Sequence, residues 1–335
     1  MANALSLPYF HPSTVVFLDD NHQFLSDLEL RLPGRMPYIL HEDPAVALAE
    51  VNRHTATPTL ANRCFSRLEN ERGSWRDSII EFDVALIEEE VNSVERFHRT
   101  SVVVVDYAMP AMNGLEFCEK ITDPYVKKLL LTGAADEKLA VRAFNDGLID
   151  RFILKNQPDS LDLMLQFTNE LQIAHFQRQQ TVLAAALSLN PPPFIYDPTL
   201  IDEIERLAHR HSFVEHYLVG DPPGYLLLTS SGDVQRLVVM DECEFAAQTE
   251  RARQHAAPEE LLSAMRSRSK IVCVYESLLG NDAADYPWQE FAFDSWRVEG
   301  ASTWWLALIS QPPVSIDFDP GSSSLDAYLA QLDGC

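Results

Sequence analysis

A chain of 335 residues is too long for one ordinary domain and reads as two, with a hydrophobic fraction of 46% to supply a core for each. The formal net charge of −24, from 26 Lys and Arg against 50 Asp and Glu, argues against a general DNA or RNA binder, because neutralising phosphates takes a basic face. No stretch approaches the ~20 apolar residues that cross a bilayer, and the N-terminus MANALSLPYFHPS has no basic run ahead of an apolar one, so a soluble, cytoplasmic protein without a membrane partner is expected.

Strand signals occur in chain order at TVVFLDD (14–20), MPYILHED (36–43), SVVVVD (101–106), KKLLLTG (127–133) and RFILK (151–155). Helical patterns separate them over 21–32, 44–53, 114–121 and 136–145, and a long one begins near Ser160. This alternation predicts an α/β fold with a doubly wound, five-stranded parallel sheet. The gap 54–100 is too long for a simple connection, and Ile79, Ile80, Val84, Leu86, Ile87, Val91 and Val94 suggest extra helices there, as a decorative insertion or a partner or dimer surface. The helix after Ser160 is expected to run to LNPPPF (189–194) and to project as a connector, the prolines marking a boundary. The expected organisation is thus a first domain over 1–160 with its insertion, a connecting helix and Pro-rich linker over 161–194, and an α+β domain over 195–335.

In that last part DPTLIDEIERLAHRHSFVEHYL reads as helix, GYLLLTSSGDVQRLVVM as a hairpin, PEELLSAMRSRSK as helix, and KIVCVYE and ASTWWLALIS as strands. The tail GSSSLDAYLAQLDGC is expected to be loosely held. Cys64, Cys118, Cys243, Cys273 and Cys335 include no CxxC pair, so reduced thiols are expected rather than a disulfide framework or a zinc site.

The chemistry concentrates at strand ends. The first strand ends in Asp19-Asp20 and the third in Asp106, and a parallel sheet brings neighbouring ends into one crevice. Clustered carboxylates repel unless neutralised, which points to a hard divalent cation, Mg²⁺, held by oxygens. Thr132 ends the fourth strand and Lys155 the fifth. Together they make a site suited to phosphoryl transfer, with Asp106 as nucleophile, the metal and Lys155 neutralising charge, and Thr132 bonding a phosphoryl oxygen.

On FLDDN, DYAMPAMNG, LLTGAAD and FILKN the chain resembles, over about residues 13–170, the receiver domain of two-component response regulators. The resemblance implies that Asp106 accepts a phosphoryl group from a sensor histidine kinase or phosphotransfer protein. It also implies that Asp20 ligates Mg²⁺ with Asp19 assisting, and that the Ala108 carbonyl completes the metal shell. Thr132 and Phe152 become the switch pair coupling phosphorylation to the surface built by the fourth and fifth helices, and phosphorylation-dependent homodimerisation follows as an expectation. Two features depart from the family pattern: Asn156 follows the lysine where a proline is common, and Asp20 and Asp106 stand 86 residues apart because of the insertion.

The C-terminal part shows no GGDEF, EAL or HD-GYP pattern and no convincing helix-turn-helix, and residues 190–335 carry 9 Lys and Arg against 23 Asp and Glu. Its sharpest basic cluster is Arg266, Arg268 and Lys270, with Arg251 and Arg253 upstream, a candidate site for a nucleotide phosphate or an RNA backbone. His209, His211 and His216 are the densest imidazoles but lack a second ligand set, and Asp233, Asp241, Glu242 and Glu244 lack the ExK pair of a nuclease. The segment EHYLVGDPPGYLLLTSSGDVQRLVVM resembles regulators that join a receiver to an unclassified C-terminal module, a class that includes the quorum-sensing response regulator of Legionella. The leading expectation is a phosphorylation-controlled regulator whose output works through protein contact or dimerisation. The alternative is an output that binds, or acts on, a nucleotide or nucleic acid.

Overall fold

The computed structural model describes residues 7–68, 79–83, 85–133, 136–187, 193–273, 287–310, 312 and 318–332. Its first elements are β1 (Tyr9–Phe10), β2 (Thr14–Leu18), α1 (His22–Glu29), β3 (Tyr38–His41), α2 (Pro44–Asn52) and α3 (Leu60–Arg63). There follow β4 (Phe65–Leu68), β5 (Ile79–Phe82), α4 (Ala85–Glu89), β6 (Thr100–Asp106), α5 (Gly114–Glu119), β7 (Lys127–Thr132), α6 (Glu137–Asn145), β8 (Arg151–Leu154), α7 (Ser160–Gln179) and α8 (Thr181–Leu187). The last stretch holds α9 (Pro198–His211), β9 (Phe213–Val219), β10 (Gly224–Thr229), β11 (Val234–Met240), α10 (Glu242–Gln254), α11 (Glu259–Arg266) and β12 (Lys270–Val272). It continues with β13 (Ala292–Asp294), β14 (Trp296–Glu299), β15 (Thr303–Ile309), α12 (Pro320–Ser323) and α13 (Leu325–Leu332).

These elements form two compact units, and neither is a single stretch of chain. One comprises His11–Arg63, Ser93–Leu183 and Gly321–Cys335; the other comprises Met1–Phe10, Cys64–Asn92 and Ala184–Pro320.

The first unit is built on a five-stranded sheet of order β3-β2-β6-β7-β8, every described pair parallel. β6 is buried at all seven positions, as its valines require, since branched Cβ atoms favour the pleated backbone and a strand covered on both faces needs apolar residues throughout. Successive residues divide between the two faces. Val103 and Val105 join Val16, Leu18 and Leu130 against Ala47 of α2, Phe117 of α5 and Ala140 and Ala143 of α6. Val102 and Val104 join Val15, Phe17, Leu129 and Leu131 against Leu25 and Leu28 of α1 and Met164 and Leu171 of α7. Helices enter from side-chain caps: Asn21 accepts from the Phe24 N–H, Asp43 from the Ala45 N–H ahead of Pro44, and Asn113 from the Leu115 and Glu116 N–H groups.

The second unit is built on an antiparallel sheet of order β1-β9-β10-β11-β15-β14, with smaller pairs β12-β13 and β4-β5. Val238, Met240, Trp305, Ala307 and Ile309 pack with Phe245 of α10 and Leu261, Leu262 and Met265 of α11. Asp197, the N-cap of α9, binds the Trp304 indole N–H at 2.6 Å, the Ala301 N–H at 2.7 Å and the Thr199 N–H at 3.0 Å. So many donors hold its carboxyl below the usual range although burial works the other way.

Four expectations need correction. The insertion holds the β4–β5 hairpin as well as short helices, and Cys64–Asn92 belongs to the second unit, where α4 packs against β9 and Glu88 faces Arg236 at 3.8 Å. Its apolar residues were spaced for helix, but two four-residue strands are too short to show alternation against that background. The long helix divides at Gln180 into α7 and α8, and α7 lies on the parallel sheet against β6, β7 and β8 instead of projecting. The helix expected through Leu218 stops at His211, where Ser212 turns into the left-handed region at φ 58°, and FVEHYLV continues as β9. Finally, the tail is tied down in the first unit: Leu325 and Tyr328 are buried, the Tyr328 hydroxyl meets Thr14 Oγ1 at 2.8 Å, and Arg96 donates to the Ser323 carbonyl at 2.7 Å.

Candidate functional site

The C-terminal ends of β2, β6, β7 and β8 deliver four polar side chains to one place. Asp19 directly follows β2, Asp106 is the last residue of β6, Thr132 the last of β7, and Lys155 directly follows β8. The parallel register sets their levels, with Asp106 beside Leu131 and Thr132 beside Leu154, and the Lys155 N–H donates to the Thr132 carbonyl at 2.9 Å. Acceptor oxygens of Asp19, Asp20 and Asp106 lie within 4.8 Å of one another, and among the described residues this is the one His, Cys, Asp or Glu group able to hold a metal ion.

Lys155 bridges the two buried carboxylates. Its Nζ is 2.5 Å from Asp19 Oδ2 and 2.8 Å from Asp106 Oδ1, and it stands 4.7 Å from the ring centroid of Phe24 in the first turn of α1. Burial alone would lower its pKa, yet the bonds and charges of Asp106 and Asp19 hold it above the ordinary lysine value. Asp19, only 2% exposed, is pushed up by burial and by the charge of Asp106, despite bonds from Lys155 and from the Asn21 N–H at 3.0 Å. One ammonium is therefore too little positive charge for three acids, and hard oxygen donors in this arrangement fit Mg²⁺.

The backbone around Asp106 is packed without slack. The Tyr107 N–H donates to the Leu131 carbonyl at 2.8 Å and the Gly114 N–H to the Tyr107 carbonyl at 3.0 Å, closing the loop that carries Ala108. A Cβ on Gly114 would lie 2.4 Å from the Asp106 carbonyl oxygen, so only glycine lets α5 start this close to the strand end. A cleft of about 280 Å³ lined by Asp20, Asp43, Pro44, Met109, Pro110 and Ala111 opens beside the acids. The buried Thr132 hydroxyl donates to the Gly133 carbonyl at 3.3 Å. Phe152 sits half-buried in β8, its ring edge-on to Phe144 of α6 at 6.4 Å.

The other sequence candidates do not converge. Arg266 pairs with Glu259 at 2.6 Å, Lys270 with Asp294 at 2.8 Å, and Arg268 with Glu242 while lying over the rings of Phe245 and Trp305. Arg251 and Arg253 face Asp221 and Glu250. His211 stacks on Phe213, and His216 is buried with Nε2 3.1 Å from the Leu7 carbonyl. Sequence reasoning missed Gly114 and Phe24. The NG pair at 113–114 was a visible signal for the first; a phenylalanine five residues past Asp19 gave none for the second.

A family model described as the response regulator receiver domain matches residues 77–166, which include Asp106, Thr132 and Lys155 and leave out Asp19 and Asp20. Among solved structures, the response regulator LqsR of Legionella pneumophila is 30% identical across 98% of this chain and 97% of its own, with a TM-score of 0.76. An adenylate cyclase from Rhodopirellula baltica is 20% identical over 54% of this chain and 98% of its own, TM-score 0.33. A receiver domain protein of Methanospirillum hungatei is 18% identical over 49% and 96%, TM-score 0.31. No curated protein sequence matches the chain.

Proposed function

Because this chain belongs to the response regulators of two-component signalling, we propose that it takes a phosphoryl group from a histidine kinase or phosphotransfer protein onto Asp106 and thereby switches an output that works through protein contact, including self-association. The observation that carries this reading is Lys155 held between Asp19 and Asp106 at the ends of parallel strands. A carboxylate oxygen of Asp106 attacks phosphorus as the bond from phosphorus to the donor imidazole nitrogen breaks, the electron pair leaving on that nitrogen. Lys155 trades its bond to Asp106 for one to a phosphoryl oxygen, and the Thr132 hydroxyl turns from the Gly133 carbonyl toward another. Asp19, Asp20, Asp106 and the Ala108 carbonyl would hold Mg²⁺, which supplies positive charge to the anionic donor and product.

The acyl phosphate adds about −1.5 to −2 charge to a site already rich in acids. Inward movement of Thr132 then reaches Phe152 and α6, whose Leu139, Val141 and Phe144 are each at least 40% exposed and form the surface through which the two states differ toward a partner. One-to-one neutralisation of Arg266, Arg268 and Lys270 supports protein contact over nucleotide binding as the output. The test is incorporation of label from acetyl phosphate with Mg²⁺: wild type takes up label, while Asp106→Asn and wild type in EDTA do not. Equal labelling of wild type and Asp106→Asn would remove the assignment.

A further inference from the structure

Lys155 is the one cation in the acidic site among the described residues, and its side chain is 27% exposed, enough for the ammonium to swing into water on its flexible stem. Two carboxylates hold it, and one of these bonds, to Asp106, must be given up when a phosphoryl group arrives. The ring of Phe24 is a neighbour of another kind. It accepts the ammonium by its π face, needs no hydrogen bond, and is not consumed by the reaction.

The backbone fixes where that ring stands. α1 begins directly after Asp19-Asp20, Asn21 caps it by accepting the Phe24 N–H at 3.2 Å, and the half-buried side chain packs against the cluster of Val15, Phe17 and Leu25. From these contacts we infer that Phe24 is a positioning residue for the reaction on Asp106, holding the Lys155 ammonium at the acidic site while it moves from carboxylate to phosphoryl oxygen. This rests on the reading of Asp106 as acceptor. A leucine in its place would keep the packing and lose the attraction for a cation.

The experiment follows a double-mutant design on the full chain, with acetyl phosphate and Mg²⁺. In the step measured, an Asp106 oxygen–phosphorus bond forms as the phosphorus–oxygen bond to acetate breaks, acetate leaving with the electron pair. Phe24→Leu is expected to slow phosphorylation about three- to tenfold, and Phe24→Tyr, which keeps the π face, to restore it. In a Lys155→Gln background Phe24→Leu is expected to add no further loss, since there is no cation left to position. Separately, in metal-free protein without phosphodonor, the Lys155 side-chain methylene resonances are expected to carry a ring-current shift that Phe24→Leu removes and Phe24→Tyr retains.

A wild-type rate in Phe24→Leu, or the same loss with and without Lys155, would overturn the inference. If Phe24→Leu fails to fold, Phe24→Met makes the same comparison. Failure of wild type to accept label would instead fall on Asp106, and the resonance shifts would still decide the contact between Phe24 and Lys155.

Discussion

Both units of this molecule set cations beside carboxylates, and they do so in opposite ways. At the strand ends of the parallel-sheet unit Lys155 faces Asp19 and Asp106 at once, with Asp20 close by, so none of these three acids has a cation of its own. In the antiparallel-sheet unit Arg266, Arg268 and Lys270 each have a private partner in Glu259, Glu242 and Asp294. Pairing one to one leaves no charge for a ligand to answer. Convergence on shared partners leaves an excess of negative charge, which is what a divalent cation can relieve.

The sharpest break of this contrast is at Asp197, where the second unit does make one acid serve many donors, but for structure. Asp197→Ala leaves the Trp304 indole N–H and the Ala301 and Thr199 N–H groups without their acceptor, and is expected to destabilise that unit by about 3–5 kcal/mol. Denaturant unfolding followed by tryptophan fluorescence measures it. A loss under about 1 kcal/mol would mean that convergence there has no structural weight.

Next in size is a response to acid that the two units share. His175, with Nδ1 2.8 Å from the Tyr125 carbonyl, and His216, on the Leu7 carbonyl, are both pushed down from 6.5 to about 4 by burial, against the effect of those bonds. Each is lowered in the folded state, so the unfolded chain takes up the proton first. Its stabilising contribution is complete above pH 6.5 and is lost as pH falls from 6.5 toward about 4. The loss approaches about 3 kcal/mol for each histidine. Unfolding curves between pH 7 and 4.5 should flatten for His175→Gln in the first unit and His216→Gln in the second; wild-type slopes in both variants would dismiss this account.

The smallest expected effect sharpens the contrast from the other side. The triple variant Arg266→Ala, Arg268→Ala, Lys270→Ala breaks surface pairs worth about 0–1 kcal/mol each and should leave labelling of Asp106 unchanged. A labelling rate that falls tenfold or more, a change of about 1.4 kcal/mol in the barrier, would show that the basic cluster serves the acceptor site after all.

What the sequence made legible follows from range. The parallel strands announce themselves by short apolar runs, four valines in β6 and three leucines in β7, and Asp19, Asp106, Thr132 and Lys155 could be placed together because parallel strands end on one side of a sheet. Long-range membership was not legible. Nothing local in Tyr9–Phe10 says that it pairs with β9, nothing in Ala85–Glu89 that it packs on that same strand, and nothing in Leu325–Leu332 that Tyr328 returns to Thr14. Phe24 was hidden for a related reason: its ring meets Lys155 across the fold, 131 residues away in the chain.

The division of the chain between its units bears on biosynthesis. The backbone passes from one unit to the other five times, after Phe10, Arg63, Asn92, Leu183 and Pro320. A ribosome working from the N-terminus therefore never finishes one unit before starting the next. The sheet bearing Asp106 is translated by Leu154, but its unit waits for α13, by which time the other unit has already received its last residues. A nascent chain that stops between Lys155 and Pro320 therefore carries Asp19, Asp20, Asp106, Thr132 and Lys155 with neither unit complete.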